Sequence, residues 1–115
     1  MKFDTIDSET DAQGVCTVWL SRPDKHNALS AQMIDELTEM AAILRQGSAR
    51  VVILAARGQS FCAGGDLQWM QTQMQADRAT RQAGARSLAA MLQSWNTLPL
   101  PVIGRIHGNA FGGGV

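Results

Sequence analysis

Apolar and polar positions change their period along the chain, and the changes mark out its elements. Val15-Cys16-Thr17-Val18-Trp19-Leu20 is β-branched and aromatic, so it predicts a strand. Phe3 to Ile6 alternates weakly and predicts an earlier one. Between them Asp11-Ala12-Gln13-Gly14 is turn chemistry, which joins the two as a hairpin. Arg22-Pro23 ends the second strand, because proline cannot donate to a ladder. The period then lengthens. Ile34, Leu37, Ala41 and Leu44 recur at helical spacing, with Ser30 as N-cap, Arg45 late and Gly47 as the stop, giving a helix to about Gln46. Val51-Val52-Ile53-Leu54-Ala55-Ala56 is continuously apolar, which predicts a parallel strand buried on both faces. Strand, helix, strand in that order implies a right-handed crossover.

Beyond it, Arg57 to Gly65 reads as a loop, and Asp66 as the cap of a helix through about Met74. Gln75 to Thr80 is polar and carries no assignment. Arg81 to Asn96 predicts a long helix with Leu88, Met91, Leu92 and Trp95 on one side. Pro99 and Pro101 bracket its exit; Val102 to His107 reads as a further strand and Gly108-Asn109-Ala110 as its turn. The class is α/β, within one domain of ordinary size at 115 residues.

Composition narrows the possibilities further. Apolar residues make up 45% of the chain, enough for a core and too many for a disordered segment. Ten basic residues cancel ten acidic ones, so nothing marks a nucleic-acid binder, and any anion must be held locally. No apolar run approaches the roughly 20 residues that cross a bilayer, and Met1-Lys2-Phe3-Asp4 is not a signal peptide. Cys16 and Cys62 are far apart without metal-ligand spacing, which suits free thiols in a reducing cytoplasm. The chain closes on Phe111-Gly112-Gly113-Gly114-Val115, a place where domains rarely stop. Residues 1–115 are therefore expected to be a fragment.

The chemistry lies in a repeated context. Strand 51–56 runs into Ser60-Phe61-Cys62-Ala63-Gly64-Gly65-Asp66-Leu67, and strand 102–107 runs into Gly108-Asn109-Ala110-Phe111-Gly112-Gly113-Gly114. Each puts glycines where a strand ends and a helix begins, the edge at which parallel sheets bind ligands. Glycine leaves backbone N–H groups uncovered, and at a helix N-terminus they sit in a positive dipole. Two such donors aimed at one point make an oxyanion hole. Taken singly, each loop is more often plain turn geometry. Neither matches the Walker or dinucleotide fingerprints.

Three stretches decide the matter. Arg22-Pro23-Asp24-Lys25-His26-Asn27-Ala28-Leu29, Phe61-Cys62-Ala63-Gly64-Gly65-Asp66-Leu67 and Gly108-Asn109-Ala110-Phe111-Gly112-Gly113-Gly114 resemble, in order and spacing, the enoyl-CoA hydratase/isomerase (crotonase) superfamily. The resemblance covers the whole chain and implies a crotonase-like spiral of ββα units, with residues 1–115 as the N-terminal part of that domain, interrupted in its second glycine loop. It implies one oxyanion donor from each loop, the N–H of Gly65 and the N–H of Gly113, acting on a thioester carbonyl. It places Lys25, Ala28, Ala63, Asp66 and Leu67 against the acyl-CoA, with Lys25 or Arg22 near a phosphate and Asp66 supporting its loop. Leu67 and Trp69-Met70 would line the acyl pocket or the helix that covers it.

The implied reaction is hydration of an enoyl-CoA through its enolate, with coenzyme A entering as substrate and no metal or redox cofactor. Family hydratases use two glutamates as acid and base, and both positions would fall past Val115. The loop sequences look most like hydratases of branched or terpenoid-derived acyl-CoAs. Double-bond isomerisation shares the enolate and stays open, as does a non-catalytic acyl-CoA-binding fragment. An α/β domain whose glycines only make turns is the bland alternative. His26, His107 and Cys62 read as structural. Family members form trimers or dimers of trimers, so a homotrimeric or homohexameric cytoplasmic protein is the expectation, without nucleic-acid or membrane partners.

Overall fold

The computed structural model describes residues 3–115. Four strands form one sheet in sequence order: β1 (Ile6–Thr10), β2 (Val15–Leu20), β3 (Val51–Ala56) and β4 (Val102–Gly104). β1 and β2 are the antiparallel hairpin, its turn tied by Asp11, whose Oδ1 accepts from the N–H groups of Gln13 and Val15. β2 and β3 are parallel, and so are β3 and β4. Helix α1 (Ala31–Gln46) crosses from β2 to β3, while α2 (Leu67–Gln75) and α3 (Arg78–Asn96) fill the crossover from β3 to β4.

Caps set the helices as their sequences dictate. Ser30 Oγ accepts from Met33 N–H at the start of α1, and Gly47 is its C-cap. Met33, Ile34, Leu37, Met40, Ala41 and Leu44 are the buried stripe; each large side chain so removed from water contributes roughly 1.5–3 kcal/mol. It packs with Cys16, Val18 and Leu20 of β2, Val52 of β3 and Met91 of α3. Trp95 Nε1 donates to Leu37 O at 2.9 Å, which fastens α3 to α1.

Four expectations need correction. The first strand lies at Ile6–Thr10, beyond the Phe3–Ile6 expected, because the Asp4 and Thr5 N–H groups donate to Glu36 Oε1 and are lost to a ladder. β3 is not buried on both faces: Val52 and Ala55 are buried, and the other four residues are half-buried. α3 begins at Arg78, not Arg81, since Asp77 caps it by accepting from Thr80 N–H at 2.8 Å. The strand expected over Val102–His107 stops at Gly104. Arg105 N–H makes its last bond to β3, at Leu54 O, and the chain then turns through Gly108. No helix of the described residues is long and apolar enough to cross a membrane.

Candidate active site

The loop after β3 is fixed from two sides. Leu29 N–H donates to Gly64 O at 2.7 Å, and Asp66 N–H donates to Leu29 O at 2.9 Å, an isolated parallel bridge centred on Leu29 and Gly65. In such a bridge the central residue turns its own N–H and C=O away from the partner strand. The Gly65 N–H therefore points to the opposite side. Gly64 has φ +95°, and a Cβ there would meet Phe111 O at 3.2 Å, so both conformation and space demand glycine.

The second loop is built onto the first. Phe61 and Cys62 N–H groups donate to Asn109 O, Phe111 N–H donates to Cys62 O at 3.0 Å, and Cys62 pairs with Ala110 in a parallel bridge. Gly65 and Gly113 lie at the same offset past that bridge, each on its own loop. Gly112–Gly114 form a 3₁₀ turn, whose first N–H groups have no partner within the turn. Among the described residues, neither the Gly65 N–H nor the Gly113 N–H has an acceptor. Gly113 is also packed closely: a Cβ would stand 2.7 Å from Leu29 Cδ1.

A cleft of about 740 Å³ is lined by Gly113 and Gly114 themselves, with Leu92, Trp95 and Leu98, and two smaller ones lie nearby. One, of about 510 Å³, is lined by Arg22, Lys25, Ala28, Asp66, Leu67, Gln68 and Gln71. Four residues expected at the acyl-CoA, Lys25, Ala28, Asp66 and Leu67, meet there. Ala63 does not join them; it is exposed, and its N–H is held by His26 O at 3.0 Å. Arg22 also lines this cleft, with its guanidinium already donating to Ala28 O at 2.5 Å and pairing with Asp66 at 3.2 Å. Among the described residues Lys25 makes no ion pair.

Asp66 is the cap of α2. Its Oδ1 accepts from Trp69 N–H at 2.9 Å, and this bond, aided by Arg22 against the cost of burial, holds its carboxyl below the usual range. A depressed folded-state pKa stabilises the protein above the unfolded carboxylate's value near ~3.9, and the stabilisation is lost as pH falls through the folded value. Asp66→Asn keeps a capping oxygen but loses the charge. The variant is expected to be less stable by about 1–3 kcal/mol at pH 7. Urea titrations should show that gap closing below about pH 4; a gap independent of pH would contradict the charged pairing.

The other cleft, of about 520 Å³ between α2 and α3, is almost wholly apolar, with Trp69, Met70, Met74, Leu88 and Leu92 among its walls. Neither donor glycine lines it, but its wall residues reach both. A Cβ on Gly65 would meet Met70 Sδ at 3.3 Å and Trp69 Cε3 at 3.7 Å; one on Gly113 would also meet Leu88 Cδ1 at 3.9 Å. Leu67 stands on the polar side, at 74% exposure, and does not line this cleft.

The sequence reading passed over Asn27. Its side chain is fully buried; Oδ1 accepts from Arg22 N–H at 2.7 Å, and Nδ2 donates to Arg57 O and Ser60 O. With His26 it occupies the left-handed region, at φ 55° and 52°. An Asn between a proline turn and a helix N-cap was the available signal, since Asn tolerates that region. The histidines and Cys62 are structural in their contacts. His26 Nδ1 meets Ser60 Oγ at 3.1 Å, His107 Nε2 meets Gly58 O at 2.6 Å, and burial pushes the Cys62 thiol up. Among the described residues no three His, Cys, Asp or Glu side chains gather as a metal site would require.

A mixed sheet whose two glycine loops are tied to each other by the Cys62–Ala110 bridge has the α/β crotonase fold. The enoyl-CoA hydratase/isomerase family profile matches residues 10–115, and the chain belongs to that family. It is similar to a Mycobacterium tuberculosis protein named probable enoyl-CoA hydratase echA6, at 37% identity over 92% of this chain and 40% of that one. Mouse mitochondrial Δ(3,5)-Δ(2,4)-dienoyl-CoA isomerase is 33% identical over 98% of this chain and 37% of its own length. A solved enoyl-CoA hydratase from Shewanella pealeana superposes with TM-score 0.94 at 32% identity, over 98% of this chain and 43% of the other. The chain thus spans about 40% of the length of the curated relatives it matches.

Proposed function

We propose that this chain cradles an acyl-CoA thioester, and that the protein hydrates α,β-unsaturated acyl-CoAs through an enolate. The observation that carries the reading is the pair of acceptorless N–H groups, on Gly65 and Gly113, close to side chains that wall an apolar cleft. A thioester lying there would put its carbonyl oxygen on the two donors, its acyl chain between α2 and α3, and its polar portion toward Lys25 and Ala28. As a proton leaves or water adds, negative charge grows on that oxygen, and fixed dipoles stabilise it without reorganising. Lys25 would act on phosphate as a point charge.

General acid and base groups are a separate requirement. Asp66 is the one carboxylate lining either cleft, and its pairing with Arg22 and the α2 N-terminus suits support rather than proton transfer. The acid/base glutamates that the family resemblance implies would come from beyond Val115. Isomerisation is the second reading, favoured by the relative named as a dienoyl-CoA isomerase.

One pair of assays separates the readings. Crotonyl-CoA loses its conjugated enoyl absorbance on hydration, and but-3-enoyl-CoA gains it on isomerisation. Loss in the first supports the hydratase; gain in the second alone transfers the site to isomerisation. Binding of both without either change reduces the function to a thioester cradle. Failure of both to bind at millimolar concentration overturns the proposal.

A further inference from the structure

We infer that Gln73, seated against Gly84, is the end wall of the apolar cleft and sets the length of acyl chain it accepts. The inference rests on the acyl-cleft reading given above. The cleft has a direction. Met70 on α2 and Leu88 on α3 stand at the donor glycines. Gln73 and Met74 lie one helical turn further along α2, roughly 5 Å away. Arg81 and Ala85 lie further back along α3, which runs the opposite way past the cleft.

Gln73 at that far end, and Trp69 nearer the glycines, each border two cavities. Both residues line the apolar cleft, and both also line a second space of about 260 Å³, bounded by Ala31, Ile34 and Asp35 of α1 and by residues of α3 from Thr80 to Ser87. The Gln73 side chain thus stands between two volumes that would otherwise join. No polar network holds it there: among the described residues no buried side-chain polar atom goes unpaired, and the Gln73 carboxamide, which has no protein partner, meets solvent.

The seat is specific. Gly84 sits inside a 19-residue helix, where glycine is the poorest residue after proline. A Cβ at this position would fall 2.3 Å from Gln73 Oε1 and 2.7 Å from its Cδ. The missing side chain is what lets the amide lie flat on α3. Because the obstacle is the end of a flexible side chain, Gly84→Ala should displace Gln73 while leaving the helix as well formed or better.

The test is calorimetric titration of butanoyl-, octanoyl- and dodecanoyl-CoA, which are saturated and cannot be hydrated. The proteins are the wild type, Gln73→Ala, Gly84→Ala and the double variant. Each methylene newly taken from water is worth about fourfold in affinity. Gln73→Ala opens the second cavity, so the ratio of dodecanoyl to butanoyl affinity is expected to rise about tenfold or more. Gly84→Ala should lower the ratio, because the lifted amide occupies the cleft, and this effect should vanish in the double variant. An unchanged ratio in Gln73→Ala, with the wild type binding all three ligands, overturns the wall while leaving the thioester cradle standing. A Gly84→Ala effect that persists without Gln73 overturns the seat. No binding by the wild type removes the cleft reading and this inference together.

Discussion

Prolines at positions 65 and 113 should cost about 10²–10³ in turnover of an enoyl-CoA for each donor removed. Proline deletes the N–H and touches no acid or base. The two losses should fall short of multiplying, because both donors act on one oxygen. Gly65 provides the cleaner half of the experiment. Gly65→Ala retains the N–H, and its methyl presses closely only on the flexible end of Met70, with Sδ at 3.3 Å, while Trp69 Cε3 at 3.7 Å is ordinary contact. Alanine should keep most of the activity that proline abolishes. At Gly113 the added Cβ meets Leu29 Cδ1 at 2.7 Å, so circular dichroism must accompany the kinetics. Enoyl thioester absorbance, followed over time, reads the outcome; near-normal turnover in the double variant sinks the oxyanion assignment.

The largest effect on stability is expected from Asn27. Asn27→Ala strands a buried carbonyl, Ser60 O, and two part-buried groups, the Arg22 N–H and Arg57 O. At about 1–3 kcal/mol for each unsatisfied group, with some relaxation, a loss near ~3–5 kcal/mol follows. Asn27→Asp keeps the acceptor but sets a carboxylate against two carbonyl oxygens, and should be no better. Urea midpoints measure both. Because Asn27 joins the Lys25 turn to the Ser60 loop, the alanine variant should also weaken CoA-thioester binding where it still folds. A loss below ~1 kcal/mol would mean that water replaces the side chain.

Much of this was readable in the chain. Ser30, Gly47 and Asp66 announced helix ends through local hydrogen bonding, and the structure places α1 and the start of α2 by them. The apolar run Val51–Ala56 announced a parallel strand. Its half-buried state was not legible, because burial depends on what packs on the second face and not on the strand's own residues. Asp77 carried a cap signal inside a polar stretch, and the absence of apolar periodicity there hid it. At the site, sequence could name Gly65 and Gly113 through resemblance alone; the bridges Leu29–Gly65 and Cys62–Ala110, which bring the loops together, are long-range pairings. Arg22 shows the same limit: its pairing with Asp66, distant in sequence, is a long-range contact that no local pattern announces.

The most direct test of the two-donor cradle needs no acid or base from the protein. Acetoacetyl-CoA loses an α-proton far more readily than a simple thioester, and its enolate absorbs in the near ultraviolet where the keto form does not. Difference spectra should show the enolate band growing on binding at a pH where the free ligand is keto. The band should be lost in Gly65→Pro and in Gly113→Pro, and retained in Gly65→Ala. Saturable binding without any enolate band, or a band that survives both prolines, would contradict the assignment of Gly65 and Gly113 as the oxyanion donors.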